Sequence, residues 1–349
     1  MRMILGIQMF RFLAALFVVL GHSCWELGRL PIGYFGVDIF FVISGFIMSY
    51  ITHHDTSLFM RKRVIRIVPL YWLSTLLIAS LVYFSSVVKV SFDVQVLLSS
   101  LFFIPWWNGE TLYQPMLPLG WTLNFEMFFY LLFFVAMKIS HQHREAVCSA
   151  LLCLIIAGVQ LAGLPESSSL SFYGDTLSLE FIFGMFLAVL YRAEKLPTLG
   201  QSTAANALMV TVSLAAMVVG AMYTFDESLN VFHTLPLTES FGLPRFVYWG
   251  VPALLIVWGL LNLEDTIQAL GASAKRLILV GGELSYPLYL VHIYCVGMFG
   301  RVIGVELQVY QLFLGATVIS LVISLFLSRA FDRPLRRVLN RWVLGKRPA

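Results

Sequence analysis

Charged residues are scarce in this sequence. Asp, Glu, Lys and Arg make up 12% of the 349 residues and hydrophobic residues 59%, whereas a soluble domain has roughly a quarter charged and about half apolar residues. The apolar residues form continuous runs of about 18 to 22 residues, long enough to cross a bilayer as helices. Barrel strands would alternate polar and apolar residues instead. The composition therefore predicts an all-α polytopic membrane protein.

The sequence also lacks the cysteine patterns of a disulfide framework or a zinc site, because its four cysteines contain no C-x-x-C pair. We expect no metal. The net charge of +4 does not indicate nucleic acid, since the basic residues occur in short clusters at the ends of apolar runs, without a basic stripe or an aromatic platform. These clusters are typical of membrane topology signals.

Ten apolar runs predict ten transmembrane helices. They fall at about 5–25, 33–52, 69–88, 121–140, 146–163, 172–191, 204–223, 246–262, 277–298 and 309–328. The first run contains Arg11 and is followed by no A-x-A-like cleavage site, so we expect a retained helix rather than a signal peptide. A further run at 94–107 is too short to cross and is expected to be re-entrant or interfacial.

The basic residues predict the orientation of these helices. With the N-terminus in the cytoplasm, only four of the 23 basic residues fall outside, and these are Arg29, Lys89, Arg245 and Arg301. The positive-inside rule therefore predicts that both termini are cytoplasmic. We expect one transmembrane domain over residues 1–349, in which 329–349 is a basic cytoplasmic tail.

Several ionisable residues lie inside the predicted spans. Such groups cost several kcal/mol unless they are paired or hydrated, so each is a functional candidate. They are Arg11, His22, Asp38, Glu126 and His292, with Glu180 as a weaker case. The alternative is that these groups pair only to stabilise the helix bundle.

Arg11 and His22 lie eleven residues apart, about 16 Å along a helix and within about 20° of one face. Imidazole has an unperturbed pKa near 6.5, so His22 is suited to take a proton from a hydroxyl at neutral pH. Asp38 is predicted at a similar depth, where a carboxylate would orient and charge-balance the imidazole. Glu126 also enters from the outer side.

A basic cluster, RKRVIR from Arg61 to Arg66, precedes the third span. Arg63 and Arg66 are three residues apart, so on a helix they share a face and are placed to hold phosphates. A positive-inside anchor with an aromatic belt at Tyr71 explains the same residues without any ligand.

Six segments in order resemble acyltransferase family 3, the integral-membrane acyltransferases that modify surface polysaccharides and some antibiotics. The matching segments are RFLAALFVVLGH (Arg11 to His22), GVDIFFVISGF (Gly36 to Phe46), MRKRVIRIVPLYW (Met60 to Trp72), GWTLNFEMFFYL (Gly120 to Leu131), LEFIFGM (Leu179 to Met185) and ELSYPLYLVH (Glu283 to His292). They extend over nearly the whole chain. The family's R-x10-H signature matches Arg11 and His22, and its R-x-x-R signature matches Arg63 and Arg66.

The resemblance implies an O-acyltransferase that takes its acyl group from cytoplasmic acetyl-CoA. His22 would be the catalytic base or would carry the acyl group itself, two routes that remain open, and Arg11 would stabilise developing negative charge. Asp38 and Glu126 complete the predicted catalytic set. The predicted donor-binding residues are Arg61, Arg63, Arg66 and Tyr71.

The acceptor implied by the resemblance is a hydroxyl of a cell-surface or lipid-linked carbohydrate, reached from the outer side of a bacterial inner membrane. We expect Trp121, Tyr286 and His292 to contact it. The aromatic residues Trp106, Trp107, Tyr113 and Trp121 are suited to stack on sugar rings or to form an interfacial belt.

The resemblance further implies a stand-alone form without the fused periplasmic hydrolase-like domain of some relatives. Such an enzyme either acts alone or works with a separate periplasmic partner. The sequence leaves the oligomeric state open. The alternative from another class is a proton-coupled transporter, or a flippase of a lipid-linked sugar, because buried His, Asp and Glu also form proton relays. No pair of broken helices in matching halves supports transport.

Overall fold

The computed structural model describes residues 3–29, 32–53, 56, 58–84, 92–106, 115–164, 168–198, 202–224, 245–303 and 308–345. Over these residues the chain is helical and contains no strand, as predicted. The helices are α1 (Leu5–Glu26), α2 (Gly36–Thr52), α3 (Phe59–Phe84), α4 (Val94–Leu101), α5 (Gly120–Ile139), α6 (Arg144–Ala162), α7 (Ser169–Tyr173), α8 (Leu179–Arg192), α9 (Thr203–Thr224), α10 (Val251–Asn262), α11 (Glu264–Gln268), α12 (Ala272–Ile303), α13 (Val309–Leu327) and α14 (Arg333–Leu344).

Eight helical stretches in the described part of the chain are long and apolar enough to cross a membrane, and two shorter apolar helices accompany them at Gly36–Thr52 and Phe246–Asn262. The protein is therefore a multi-pass membrane protein. Each predicted span overlaps one of these ten helices, but the count of ten spans and the cytoplasmic termini stay predictions. Helix α4 has eight residues and rises only about 12 Å, too little to cross.

The chain divides into two compact units, each built from segments that are separate in sequence. The first unit contains α1, α2, α8 to α13 and the π-helical turn Phe246–Gly250. The second contains α3 to α7 and α14. The predicted basic tail thus contributes a helix, α14, to the second unit.

Helix α1 is the centre of the first unit, where it packs against α2, α10, α12 and α13. One of its faces places Ala14 in a cluster with Ile39 and Ile256. Another face places Ala15 and Val19 in a second cluster that contains Leu288, Leu312 and Ala316. Protein surrounds much of α1, so polar side chains on it face neighbouring helices rather than lipid.

Helices α2 and α8 of the first unit approach each other through two glycines. A Cβ atom on Gly45 would lie 2.1 Å from the Phe181 carbonyl oxygen, and one on Gly184 would lie 2.0 Å from the Val42 carbonyl oxygen. Small residues at a membrane helix interface allow such backbone contact. The motif residues GF and FGM therefore fix the α2–α8 interface.

The second unit is organised around α3 and α5, which pack together. Helices α4 and α14 also contact α3, while α6 packs on α5 and α7 on α6. Its interior is aromatic: the rings of Phe125 and Phe172 stack at 4.2 Å between centroids, and Phe129 and Phe133 are fully buried.

Candidate active site

Helices α1 and α12 run in the same direction and lie close together at two glycines. A Cβ atom on Gly282 would lie 2.5 Å from Gln8 Oε1, and one on Gly281 would lie 2.8 Å from the Phe12 ring. At the other end of the helix pair, Gly300 of α12 faces Glu26. This register brings the middle of α12 next to His22.

His22 of α1 and His292 of α12 form a pair of imidazoles. His22 Nδ1 lies 3.3 Å from His292 Nε2, and the ring centroids are 4.9 Å apart at 70°. His292 is fully buried, while His22 is partly buried. Tyr34, between α1 and α2, lies edge-on to His22 at 4.9 Å between centroids.

The protonation of His22 follows from a backbone contact within α1. His22 Nδ1 lies 3.0 Å from the Val18 carbonyl oxygen. A carbonyl oxygen only accepts hydrogen bonds, so Nδ1 must carry the hydrogen, and the neutral ring then has its lone pair on Nε2. Among the described residues, none forms a hydrogen bond with this Nε2. Within the described residues, the His22 ring thus has one anchored nitrogen and one whose lone pair is not engaged, which is the arrangement that a general base or nucleophile requires.

Asp38 of α2 forms a buried ion pair with Arg245, which directly precedes the Phe246–Gly250 turn. Arg245 Nε donates to Oδ1 at 2.9 Å and Nη2 to Oδ2 at 2.7 Å. The Arg245 guanidinium also lies 4.6 Å from the Trp249 ring centre, and Glu180 interacts with it electrostatically. The structure therefore places Arg245, and not the His22 ring, against the carboxylate of Asp38.

Arg245 was not predicted as a site residue, because its position at the end of an apolar run is typical of an outer-side topology signal. The signal that was present is Asp38 itself: a carboxylate inside a membrane span requires a cation nearby. The sequence does not say which cation, since Arg245 is 207 residues away.

Arg11 lies on α1 three turns before His22, as the spacing predicted. It is partly buried, and its Nη1 lies 3.4 Å from Gln8 Oε1, to which it donates. Sequence reasoning missed a second residue, Glu264, which binds the start of the helix that carries Arg11 and His22. Glu264 of α11 accepts hydrogen bonds from the backbone N–H groups of Leu5 and Gly6, each at 2.8 Å.

In the second unit, Arg63, Tyr130 and Glu126 form a hydrogen-bonded chain. The Arg63 guanidinium donates to the Tyr130 hydroxyl, which donates to a Glu126 carboxylate oxygen. In the described part of the chain, the buried Arg63 Nε has no hydrogen-bond partner. Arg66 is partly buried and Arg61 is exposed. This arrangement leaves a fixed cationic N–H available to an anion.

The remaining predicted residues lie on three helices. Tyr71 of α3 is fully buried, with its ring 4.8 Å from that of Phe103. Trp121 of α5 is partly buried near Phe125, at 6.2 Å between ring centroids. Tyr286 of α12 is partly buried. Their roles in binding stay predictions, and Trp107 and Tyr113 lie outside the described residues.

Comparison with known proteins yields one family and two relatives. A family model described as an acyltransferase domain matches residues 4–330. The chain is 30% identical over 332 residues to the exopolysaccharide production protein ExoZ of Rhizobium meliloti strain 1021, covering 91% of this chain and 95% of ExoZ. It is 23% identical over 343 residues to the acyltransferase MdmB of Streptomyces mycarofaciens, covering 89% and 82%. No solved structure matches the chain.

Proposed function

The chain belongs to acyltransferase family 3 and is an enzyme that transfers acyl groups, and we propose that it moves an acetyl group from cytoplasmic acetyl-CoA to a carbohydrate hydroxyl. The name of the Rhizobium relative, an exopolysaccharide production protein, supports a polysaccharide or lipid-linked glycan as the acceptor. The bacterial inner membrane, with both termini in the cytoplasm, is the proposed location.

The observation that carries this proposal is that His22 Nδ1 is held by the Val18 carbonyl while Nε2 has no hydrogen-bond partner among the residues that the structure describes. In the first proposed route, Nε2 removes the proton of the acceptor hydroxyl, whose oxygen attacks the thioester carbonyl. The C–S bond then breaks, and His22 returns the proton to the CoA sulfur. Both steps use one nitrogen of a ring that is already oriented.

In the second proposed route, Nε2 attacks the thioester carbonyl itself. The C–S bond breaks and the CoA thiolate leaves, which gives an acyl-imidazolium with its hydrogen still on Nδ1. The acceptor oxygen then attacks the acyl carbonyl, the bond to Nε2 breaks, and the hydroxyl proton passes to the thiolate. Arg11, on the same helix, is proposed to stabilise negative charge on the donor in either route.

We propose that Arg63 and Arg66, helped by Arg61, bind the phosphates of the donor. Support comes from Arg63, whose Nε is buried without a partner among the described residues and whose orientation is fixed by Tyr130. An unsatisfied buried donor costs about 1–3 kcal/mol, and a phosphate oxygen would remove that cost. Guanidinium matches phosphate geometry better than an ammonium does.

For the acceptor, we propose contacts with Trp121 and Tyr286, whose rings combine an apolar face with a polar edge suited to sugars. Transfer is proposed to occur near the outer side of the membrane, with or without a separate periplasmic partner.

The test uses the full chain reconstituted in vesicles, with labelled acetyl-CoA and purified envelope polysaccharide of the host as acceptor. Wild-type protein should transfer label to the polysaccharide. His22→Ala should lower the transfer rate by about 10³-fold or more, since general acid–base catalysis contributes about 10²–10⁴ and the nucleophilic route would be lost entirely. The matched control is His143→Ala, which removes a histidine exposed between α5 and α6.

Normal transfer by the folded His22→Ala protein would exclude a catalytic His22. Vesicles that accumulate a solute or flip a lipid-linked sugar, without acyl transfer by the wild-type protein, would favour the transporter or flippase instead.

A further inference from the structure

His292 has hydrogen-bond partners that fix where its proton lies. Its Nδ1 is 2.7 Å from the Tyr289 carbonyl oxygen and 3.2 Å from that of Leu288. Both are acceptors, so Nδ1 carries the hydrogen, and in the neutral ring Nε2 is an acceptor. Within the described residues, the only hydrogen-bond partner of His292 Nε2 is His22 Nδ1, at 3.3 Å.

The two rings therefore have complementary protonation. Val18 requires a hydrogen on His22 Nδ1, and Tyr289 leaves His292 Nε2 without one. The single hydrogen between the rings belongs to His22, which shares it between the Val18 carbonyl and His292 Nε2. The opposite arrangement, with His292 as the donor, would place the hydrogen of His22 on Nε2 and remove its lone pair.

We infer that His292 is a positioning residue that holds His22 with Nε2 unprotonated and accepts a hydrogen bond from the imidazolium formed during transfer. When Nε2 of His22 takes the acceptor's proton, the positive charge spreads over both nitrogens, and the N–H at Nδ1 becomes a stronger donor. His292 Nε2 lies 3.3 Å from this donor. The carboxylate of a Ser-His-Asp triad has the same task, performed here by a neutral ring.

A neutral partner suits this location because Asp38, the carboxylate predicted from the sequence to orient His22, is engaged elsewhere. Both oxygens of Asp38 accept from Arg245. His292 is fully buried in the first unit, where an isolated carboxylate would be far more costly than an imidazole. The inference gives His292 a role that differs from direct contact with the acceptor, and it rests on the proposed function only for its catalytic part.

The kinetic test compares two substitutions in the full-length reconstituted enzyme. His292→Phe keeps a flat ring but removes the acceptor, and it should lower kcat about 10²-fold while KM for acetyl-CoA stays within about twofold. His292→Gln offers an amide oxygen to His22 Nδ1 and should recover kcat to within about tenfold of wild type. The control is Cys295→Ala, one turn further along α12 in the cluster with Ala15 and Leu312, which should leave both constants within about twofold.

The second measurement does not depend on activity. Nitrogen NMR of the protein with ¹⁵N-labelled histidines distinguishes protonated from bare ring nitrogens, and His22→Ala and His292→Phe assign the two rings among the seven histidines. We expect hydrogens on Nδ1 of both rings and a through-hydrogen-bond coupling between His22 Nδ1 and His292 Nε2.

A wild-type kcat in His292→Phe, or no recovery in a folded His292→Gln protein, would overturn the positioning role. A hydrogen found on His292 Nε2 would overturn the protonation on which it rests. If wild-type protein transfers no acyl group at all, the proposed function fails, whereas the NMR result still decides the hydrogen bond between the rings.

Discussion

Two buried polar pairs in the first unit differ in whether they leave a hydrogen-bonding atom without a partner among the described residues. Asp38 and Arg245 meet in two short hydrogen bonds, which occupy both carboxylate oxygens, and Arg245 also lies on the Trp249 ring. His22 and His292 share one longer contact of 3.3 Å, and the Nε2 of His22 has no hydrogen-bond partner among the described residues.

This difference separates two kinds of membrane-embedded polar group. A carboxylate whose two oxygens each accept a hydrogen bond from one guanidinium has its charge compensated and its orientation fixed. It links α2 to the residue that precedes the Phe246–Gly250 turn. An imidazole with one nitrogen anchored and one open has the arrangement of a general base or nucleophile. We therefore expect changes in the ion pair to act first on stability and changes in the histidine pair to act first on turnover.

The largest expected effect comes from breaking the ion pair on one side. Asp38→Asn removes the carboxylate that binds the buried Arg245 cation, and the loss of one partner of a buried ion pair typically costs about 3–5 kcal/mol in the free energy of unfolding. The measurement is unfolding of the purified protein in mixed micelles. The double variant Asp38→Leu with Arg245→Met removes both members of the pair and should regain part of that stability, since Glu180 loses the cation with which it interacts.

The double variant also tests the catalytic role predicted for Asp38 from the sequence. If the ion pair is only structural, the double variant should fold and transfer acyl groups. A stable but inactive double variant would instead support direct participation of Asp38 and would contradict the comparison drawn between the two pairs.

Sequence reasoning found the helices and the intramembrane polar residues because both depend on local composition. Apolar runs of sufficient length become helices in lipid, and the eleven-residue spacing places Arg11 and His22 on one face regardless of the rest of the fold. The same reasoning identified His22 and His292 as candidates, because ionisable groups are costly in hydrocarbon.

The partners of these residues depend on helix packing and could not be predicted. His22 contacts a residue 270 positions away and Asp38 one 207 positions away, and both contacts follow from the register of neighbouring helices. That register is fixed by features such as Gly281 and Gly282 against α1. One sequence does not reveal which glycine faces which helix, so Arg245 resembled a topology signal and Asp38 a partner of His22.

A smaller effect is expected at Arg63, which extends the comparison to the second unit. Like His22, Arg63 has one fixed contact and, within the described residues, one free nitrogen. Its guanidinium donates to the Tyr130 hydroxyl, and its Nε has no hydrogen-bond partner among the described residues. Arg63→Lys keeps the charge but loses the planar fork, and it should weaken acetyl-CoA binding about tenfold, equivalent to about 1.4 kcal/mol. Equilibrium binding of acetyl-CoA to the detergent-solubilised protein measures this.

The matched control is Arg276→Lys, because Arg276 is exposed on α12 and has no part in the proposed donor site. Its dissociation constant for acetyl-CoA should change by less than about twofold. An unchanged constant in Arg63→Lys would contradict phosphate binding by this guanidinium, because lysine keeps the charge and loses only the planar fork. Equal losses in both variants would indicate a general effect of replacing an arginine rather than a specific donor contact.

The smallest expected effect is at Glu264, a carboxylate whose oxygens are occupied as those of Asp38 are, though by uncharged N–H groups. Glu264 accepts from Leu5 N, Gly6 N and Gln268 Nε2 at 2.7–2.8 Å, and it places negative charge at the N-terminus of α1. Glu264→Gln removes the charge and turns a donor toward one of these N–H groups. No buried cation is left behind, so the expected loss is only about 1 kcal/mol in the free energy of unfolding. Asp265→Asn, at the exposed neighbour, should lose less than half as much stability.

The Glu264→Gln variant also has an expected kinetic outcome. Because Glu264 holds the start of the helix and not the His22 ring, kcat of the folded Glu264→Gln protein should match wild type. A lower kcat in the folded Glu264→Gln protein would show that a carboxylate with occupied oxygens also affects His22. The distinction between structural carboxylates and the reactive imidazole would then be wrong.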